Sequence, residues 1–385
     1  MTRLRDLGLT IGFDPPGRHN AITDVAGVRI GQTTLIAGDG PLVVGLGPVR
    51  TGVTVVVPTD RPRHRPVFAG CHRLNGMGEL TGLEVVREFG LLTSPIAITN
   101  THSVGLVRDA LVADSLTPDR TDAYWSLPVV GETSDALLND MNGFHVRAEH
   151  VRAALAHATD GPVAEGTVGG GTGMICHEFK GGIGTASRIV PESVGGWTVG
   201  VLVQANHGRR AWLSIAGVPV GAEIGVDEVP SPYDDPRSGE EPELPEPGSG
   251  SIIVVVATDA PLLPHQCERL AQRAALGIAR SGGTGGTTSG DLIIAFATGN
   301  RLEGPWQEPS PTRLSVDLRM VGESVIDRLF RATIEATEEA IANALVAATT
   351  VVGRDGITAR ALPHDRLVEV MRRYGRGPTA SAGSR

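Results

Sequence analysis

The first two thirds of the chain mix short apolar runs, which are typical of strands, with spaced apolar positions, which are typical of helices. β-branched or apolar runs at 25–30, 53–57, 96–99 and 197–204 are bounded by glycine, proline or polar residues and predict strands. A further strand is predicted at 211–215. Apolar residues at helical spacing predict helices over 79–89, 103–113 and 151–157. This part of the chain is therefore expected to interleave strands and helices.

The last third has a more strongly apolar pattern. The continuous apolar run at 251–257 predicts a strand that is buried on both faces. A predicted helix opens at Pro261 and turns Leu263, Cys267, Leu270 and Ala274 inward. A second apolar strand is predicted at 292–297, followed by a long helix over 323–348 and a short one over 365–373. These elements predict a well-buried C-terminal part.

Residues 227–250 interrupt the pattern. They contain eight acidic residues, one arginine and six prolines. Such a segment has too little apolar surface to bury and is expected to be a mobile acidic linker. The linker ends at Gly250, and the buried strand begins at Ser251 with no turn between them. This abrupt junction is the sharpest feature of the chain.

Two interpretations of the junction are open from the residues alone. A plain linker can end in Gly-Ser by composition. Alternatively, a serine at the start of a buried strand can attack the preceding carbonyl, so that the chain cuts itself between Gly250 and Ser251. The freed α-amine has a pKa of about 7.7–8 in model peptides, so it can act as the base for its own hydroxyl. Ser249 is a rival nucleophile, but it lies two residues outside the strand.

Composition narrows the class of protein. The formal net charge is −9, and the 34 Lys and Arg residues are scattered, which argues against a nucleic-acid partner. Three separated cysteines predict neither a disulfide framework nor a zinc site, and they are expected to be reduced and buried. No apolar run has the length of a membrane span, and the N-terminus lacks the features of a signal peptide. A cytoplasmic location without membrane partners is the expectation.

Several motifs, in order along nearly the whole chain, carry a resemblance to a known family. They lie at 22–28 (ITDVAGV), 50–54 (RTGVT), 74–79 (LNGMGE), 99–105 (TNTHSVG), 128–133 (PVVGET), 138–140 (LND), 170–174 (GGTGM), 179–188 (FKGGIGTASR), 205–208 (ANHG) and 250–261 (GSIIVVVATDAP). Through them the chain resembles the DmpA-type aminopeptidases, which include L-aminopeptidase/D-amidase-esterases and β-peptidyl aminopeptidases. The resemblance favours self-cleavage over a plain linker.

The resemblance implies an α+β fold, a four-layer αββα sandwich with the layering of N-terminal-nucleophile (Ntn) hydrolases. It also implies that one precursor yields an α-chain, residues 1–250, and a β-chain, residues 251–385, which together form one catalytic domain. Assembly as a tetramer of heterodimers is implied as well.

The resemblance also assigns the reacting groups. Ser251 matches the nucleophile, and Asn206 matches the residue whose side-chain amide stabilises the oxyanion. Ser289 and Asp291 match a serine and an acid beside the nucleophile, and their spacing places both side chains on one face of an entering strand. The acid is expected to act through Ser289 to orient the hydroxyl and amine of Ser251.

Substrate-binding residues follow in the same way. Glu132 matches a carboxylate that faces the free amine of the substrate, because a desolvated ammonium needs an anionic partner. Ser134 stands where relatives carry a larger, often aromatic, residue, so the shape of the pocket is expected to differ here. Thr288 ends a stretch from Gly286 whose backbone amides are expected to contribute to the site. His102, in a polar loop, is a weaker candidate for a base.

The expected function is a self-processing aminopeptidase. It would release N-terminal L-α, D-α or β-amino acids from small peptides, amides or esters through an acyl-enzyme on Ser251, with no cofactor or metal. One alternative is an acyltransferase of the ornithine-acetyltransferase kind, although that family uses a threonine nucleophile. Another is a scaffold that cuts itself only to mature. The preference among amino-acid types depends on pocket volume and is not predicted.

Overall fold

The computed structural model describes residues 1–116, 125–234, 250–303 and 315–378. One of its two large sheets has four strands, β1 (Arg29–Ala37), β2 (Val49–Val57), β5 (Ile96–Asn100) and β6 (Val129–Thr133), in that order across the sheet. β1 and β5 both pair antiparallel with β2, whereas β6 pairs parallel with β5 and forms the edge.

The other large sheet has six strands. In spatial order they are β4 (Leu91–Leu92), β3 (Val67–Gly76), β12 (Gly290–Ala297), β11 (Ser251–Thr258), β10 (Thr198–Asn206) and β9 (Gly182–Ile189). β11 is central, antiparallel to β10 and parallel to β12. Two small hairpins pair β7 (Ile175–Cys176) with β8 (Phe179–Lys180) and β13 (Val351–Val352) with β14 (Thr358–Ala359).

Helices cover the outer face of each sheet. The helices are α1 (Leu83–Phe89), α2 (Val104–Ser115), α3 (Ala148–Ala156), α4 (Val220–Glu223), α5 (Pro264–Arg280), α6 (Glu323–Ala347) and α7 (His364–Arg373). α5 and α6 pack on the six-stranded sheet, and α2 and α3 pack on the four-stranded sheet. A third apolar cluster fills the space between the two sheets. The predicted four-layer αββα sandwich is confirmed.

The strand that begins at Ser251 shows why its apolar run is continuous. Ile252, Val254 and Val256 contribute to the core under α5 and α6, whereas Ile253, Val255 and Ala257 contribute to the core between the sheets. Since successive side chains of a strand point to opposite faces, every position of β11 is buried. The predicted double-sided burial is confirmed, as are the strands within β2, β5, β10 and β12 and the helices α2, α3, α6 and α7.

The strand predicted at 211–215 is wrong. Arg210–Trp212 is a 3₁₀ turn, and Ile215 makes only an isolated bridge to Val218. The buried guanidinium of Arg210 donates to the backbone carbonyls of Ile224 and Val229, which draws the chain into a compact loop. A turn follows, with Ala216 and Gly217 at positive φ, and in the described part of the chain the segment joins neither large sheet.

Several boundaries differ from the predictions. The strand expected from Val25 begins at Arg29, because Ile22–Asp24 is a 3₁₀ turn followed by a tight turn to Val28. The helix expected from Glu79 begins at Leu83, after Gly82 in a left-handed conformation. The helix expected from Pro261 begins at Pro264.

The acidic linker is shorter than predicted at its N-terminal end. Within 227–234, Val229, Ser231 and Pro232 are buried, and Pro232–Asp234 forms a 3₁₀ turn. The remainder of the predicted mobile segment, 235–249, lies outside the described residues.

Candidate active site

Ser251 lies at the first position of the central strand β11. It is buried and pairs across the sheet with Asn206, the last residue of β10. The backbone amide of Gly290 donates to the Ser251 hydroxyl oxygen at 2.9 Å. Side chains alternate between the two faces of a strand, so the Ser251 side chain points to the same face as Ile253 and to the opposite face from Ile252. That face is the one turned towards the four-stranded sheet. The hydroxyl is thus held at the end of the space between the sheets.

Gly250 precedes the strand at a point of close backbone contact. A Cβ atom built on Gly250 would lie 1.7 Å from the carbonyl oxygen of Asn206 and 3.2 Å from the Cα of His207. No side chain fits at that distance, so the position requires glycine. The peptide bond between Gly250 and Ser251 therefore lies directly against the end of β10.

The Asn206 side chain has a defined orientation. The backbone N–H of Ile175 donates to Asn206 Oδ1 at 2.7 Å, which requires an oxygen at that position. The Nδ2 group therefore faces the other way, where it donates to the Ser134 carbonyl at 3.1 Å. An amide nitrogen carries two N–H bonds, so this geometry leaves a second donor beside the serine end of β11.

Ser289 and Asp291 form a hydrogen-bonded pair at the start of the neighbouring strand. The Ser289 hydroxyl donates to Asp291 Oδ1 at 2.5 Å. Asp291 pairs with Ile252, so its side chain projects from the opposite side of the sheet to that of Ser251. Its carboxylate accepts from the backbone amide of Ile252. It thus lies beside the backbone at the start of β11, while the partner of the Ser251 hydroxyl is the Gly290 amide.

The electrostatic state of Asp291 follows from its burial. The side chain is almost wholly inaccessible to water, and desolvation raises its pKa to about 6, although the hydrogen bonds from Ser289 and Ile252 act to lower it. Among the described residues no arginine, lysine or histidine forms an ion pair with it. Asp291 is thus a buried acid without a cationic partner in the described ranges.

Glu132 is a second buried carboxylate, at the edge of the four-stranded sheet. Its Oε1 accepts from the Glu79 amide at 3.0 Å, and its Oε2 accepts from the Thr101 hydroxyl at 2.5 Å. Burial raises the pKa of Glu132, against the lowering effects of Thr101 and Glu79. A Cβ atom on Gly78 would lie 3.0 Å from Glu132 Oε1 and 2.9 Å from the Cα of Gly290. Only the width of one glycine therefore separates Glu132 from the residue that holds the Ser251 hydroxyl.

The other predicted site residues lie around this centre. Ser134 contributes its carbonyl, not its hydroxyl, to Asn206. Thr288 is exposed on the loop before Ser289. His102 is exposed and stacks on Phe144 with ring centroids 5.9 Å apart, near enough to Glu132 to act on its pKa. Among the described residues, the hydrogen bond to the Ser251 hydroxyl comes from Gly290 and not from Ser134, Thr288 or His102.

Asn75 is a residue that our sequence analysis did not assign to the site. Its Nδ2 group donates to the carbonyls of Gly286, at 2.8 Å, and Ser289. It also pairs with Asp291 across β3 and β12. Asn75 thereby anchors the loop that leads into the Ser289–Asp291 pair. It lies in the motif at 74–79, but nothing in its spacing showed which loop it would hold.

Comparison with known proteins matches nearly the whole chain to one family. The model of peptidase family S58 matches residues 20–359. A β-peptidyl aminopeptidase from Sphingosinicella microcystinivorans is 48% identical over 374 residues, which cover 97% of this chain and 93% of that protein. A β-aminopeptidase structure from a Burkholderia species has a TM-score of 0.87 and 52% identity, over 97% of this chain and 99% of that one.

A third similar structure is the L-aminopeptidase D-Ala-esterase/amidase of Ochrobactrum anthropi. It has a TM-score of 0.84 and 43% identity, and the superposition covers 98% of this chain and 99% of that one. It is described as a prototype of the serine aminopeptidases and as a variant of the Ntn hydrolase fold. These relatives are aminopeptidases, and they give no support to the acyltransferase or to a scaffold without activity. The chain therefore belongs to peptidase family S58 and is a serine-type aminopeptidase.

Proposed function

We propose that Ser251 is both the self-cleavage nucleophile and the catalytic nucleophile of this aminopeptidase. The observation that carries the proposal is the position of the Gly250–Ser251 bond, pressed against Asn206 with the serine hydroxyl held by the Gly290 amide. In self-cleavage, Ser251 Oγ attacks the carbonyl carbon of Gly250, the C–N bond breaks and an ester forms. Water then hydrolyses the ester to a Gly250 carboxylate and a Ser251 with a free α-amine.

The cut would produce the base that the mechanism needs. Because Asp291 lies beside the backbone at the start of β11, the new ammonium of Ser251 would meet a carboxylate that has no other cation. In its neutral form the amine accepts the proton of the Ser251 hydroxyl as that oxygen attacks the substrate. In this mechanism the second N–H of Asn206 Nδ2 donates to the oxyanion, which the orientation of the amide supports.

Glu132 is assigned to the substrate. Its carboxylate is buried, bound by two neutral donors and separated from Gly290 by Gly78 alone, so it suits the ammonium of an N-terminal residue. After attack the leaving amine departs, and water releases the acyl group from Ser251. Suitable substrates are small peptides, amides or esters with a free amine, including the β-amino acids named for two of the relatives.

We also propose that the two chains, 1–250 and 251–385, stay together after the cut. β11 lies between β10 of the first chain and β12 of the second, so the pairing of β11 with β10 holds them in one sheet. The family resemblance favours a tetramer of these heterodimers. We also propose that the enzyme is cytoplasmic.

Intact-mass analysis of the purified protein tests the proposal. Wild type should give two chains divided after Gly250, and the Ser251→Ala variant should give one uncut chain with no activity towards β-Ala, L-Ala and D-Ala p-nitroanilides. The matched control is Ser249→Ala, which removes the neighbouring hydroxyl and should be cut and active. An uncut but active wild type, or a cut Ser251→Ala chain, would falsify the proposal.

A further inference from the structure

Three side chains capable of binding metals lie together behind the Gly250–Ser251 junction, outside the proposed catalytic group. They are Cys176, His177 and His207, and each is buried, with no more than 4% of its surface exposed. One sulfur and two ring nitrogens from them all lie within 4.8 Å of one another. Cys176 Sγ is 3.9 Å from His207 Nδ1, and the two imidazole rings meet edge to face at 5.1 Å.

The backbone is shaped to place these side chains. His177 and Glu178 form the turn of the β7–β8 hairpin, and both have positive φ, of 49° and 63°. Hairpin turns of this kind favour asparagine and glycine, so histidine is a costly residue there. Gly208 makes room for it, since a Cβ at that position would lie 2.3 Å from the His177 ring. The backbone thus tolerates strain where His177 approaches His207.

Hydrogen bonding leaves ring nitrogens without partners. The Arg209 carbonyl lies 3.0 Å from His177 Nδ1, so this nitrogen carries the proton and Nε2 presents a lone pair. Among the residues that the structure describes, neither His177 Nε2 nor His207 Nε2 has a hydrogen-bond partner. A buried nitrogen without a partner destabilises the fold. Donation of the other ring N–H to a backbone carbonyl is the usual arrangement of a metal-bound histidine.

Metal binding needs neutral histidines and a thiolate. Burial lowers the pKa of both histidines, to about 4 for His177 and well below its ordinary value for His207. Burial raises the pKa of Cys176 to about 12, so the thiol is protonated when no metal is bound. Binding would break the S–H bond, form a sulfur–metal bond and release one proton to solvent.

The ligand atoms and the neighbouring charges favour a soft metal ion of low charge. One thiolate neutralises one charge, and the histidines contribute none. The Lys180 amino group beside Cys176 donates to three backbone carbonyls, and the Glu178 carboxylate beside His177 accepts from the Arg210 amide. These two charges are opposite in sign, so the thiolate remains the net negative charge of the site. Thiolate and imidazole are ligands that Cu⁺ accepts at low coordination number. We propose that Cys176, His177 and His207 form a buried binding site for a soft monovalent metal ion, Cu⁺.

The experiment is a competition titration of the full-length protein, stripped with chelator and handled without oxygen. Cu⁺ is supplied with bicinchoninic acid, and the metal retained after gel filtration is counted by elemental analysis. We expect one Cu⁺ per chain in wild type, and a dissociation constant for Zn²⁺ at least about tenfold weaker. Because the site is closed, the titration is repeated on protein refolded with the metal.

Variants separate this site from the other thiols. Cys176→Ser should weaken Cu⁺ binding on the order of 100-fold or more, and His177→Gln by about 10- to 100-fold. The matched control is Cys267→Ser, which alters an equally buried thiol that belongs to no such cluster in the described ranges. It should keep the wild-type stoichiometry and affinity. Circular dichroism checks that each variant is folded. The uncut variant Ser251→Ala, in which Cys176, His177 and His207 are unchanged, should bind Cu⁺ as wild type does.

Four results would overturn the proposal. Wild type could bind no Cu⁺ by either route of loading. Cys267→Ser could lose as much affinity as Cys176→Ser, or folded His177→Gln could bind as tightly as wild type. Equal affinity for Zn²⁺ and Cu⁺ would refute the choice of a monovalent ion. Since binding is read on the Ser251→Ala background too, these outcomes do not depend on whether the chain cuts itself.

Discussion

Buried carboxylates occur in two regions of the molecule. In one region they form ion pairs with arginines, and in the other, within the described ranges, they have only neutral hydrogen-bond donors. Under helix α6, Glu339 accepts from Arg188 at 2.6 Å and from Arg5 at 2.7 Å. Burial acts to raise its pKa, but the two arginines outweigh burial, so the pKa lies below its ordinary value. At the candidate active site, Asp291 and Glu132 are buried without an ion pair among the described residues, and their pKa values are raised.

Burial alone therefore does not mark an acid that has a function. Both regions pay the desolvation cost, but only the α6 region supplies its own cations. The active-site acids have hydrogen bonds from neutral donors alone. On the proposed mechanism their cations arrive later, as the α-amine of Ser251 after the cut and as the ammonium of the substrate. Four predictions test this contrast.

The largest effect is expected from a substitution that slows self-cleavage, because the cut supplies the cation for Asp291. In Gly250→Ala the new methyl group would overlap the Asn206 carbonyl, so the scissile bond must move away from the Ser251 hydroxyl. Displacement by about 1 Å slows such reactions on the order of 100-fold, and we expect at least this loss in the rate of cleavage. Time-resolved intact-mass analysis measures it. Gly225→Ala, at an open position, is the control, and equal rates for both variants would contradict the steric argument.

Opposite effects on stability are expected from removing one charge in each region, measured by urea unfolding of uncut protein carrying Ser251→Ala. Glu339→Gln leaves Arg188 with less negative charge and should lower the free energy of unfolding by on the order of 3 kcal/mol. Asp291→Asn removes a carboxylate without a cation and should raise it by on the order of 2 kcal/mol at pH 8.

The sign of the second effect follows from its pKa. The folded-state pKa of Asp291, about 6, is above the ordinary value of 3.8, so its charge destabilises the fold as pH rises through this range. At pH 3, where the side chain is protonated in both states, Asp291→Asn and its parent should be equally stable. A loss of stability at pH 8 in both Glu339→Gln and Asp291→Asn would remove the contrast.

The role of Glu132 predicts a loss that depends on the amine of the substrate. Glu132→Gln keeps the shape and removes the charge, so kcat/KM for aminoacyl p-nitroanilides should fall about 10- to 100-fold. Turnover of a propionyl ester, which has no amine, should be unaffected. Glu338→Gln, at a buried carboxylate of α6, is the matched control and should behave as wild type. An equal loss with both substrates would show that Glu132 supports the structure of the site and does not bind the substrate amine.

The pH dependence of self-cleavage gives the smallest effect. As the Gly250–Ser251 bond breaks, the Ser251 nitrogen takes up a proton and becomes a cation beside the Asp291 carboxylate, which stabilises it. Asp291 loses its charge as pH falls through about 6, so precursor made by cell-free synthesis should be cut about tenfold more slowly at pH 5 than at pH 7. Asp291→Asn should be slow at both values. The control is Asp135→Asn, because burial also raises the pKa of Asp135 to about 6. If Asp135→Asn removes the pH dependence and Asp291→Asn does not, Asp291 is not the group whose titration controls self-cleavage.

Secondary structure was predicted most accurately from the sequence where the positions of apolar residues follow one period. The apolar run from Ser251 and the helical spacing along α6 each identified a buried element, because burial on fixed faces leaves a periodic signal. The apolar segment at 211–215 misled the same reasoning, since the carbonyls that accept from Arg210 come from residues much later in the chain. Motif resemblance, not spacing, connected Asn206, Ser251 and Asp291.

By itself, then, the sequence determined the layered α+β fold, the junction at Gly250 and Ser251, and the membership of an aminopeptidase family. Two relations could be seen only in the tertiary structure. The Asp291 carboxylate accepts from the backbone next to Ser251, and the Asn75 side chain holds the loop that precedes Ser289. The tertiary structure alone also shows that Cys176, His177 and His207 share one buried volume. The physical reason is that these relations depend on strand register and on close approach between distant segments, whereas a sequence pattern records only which face of an element is buried.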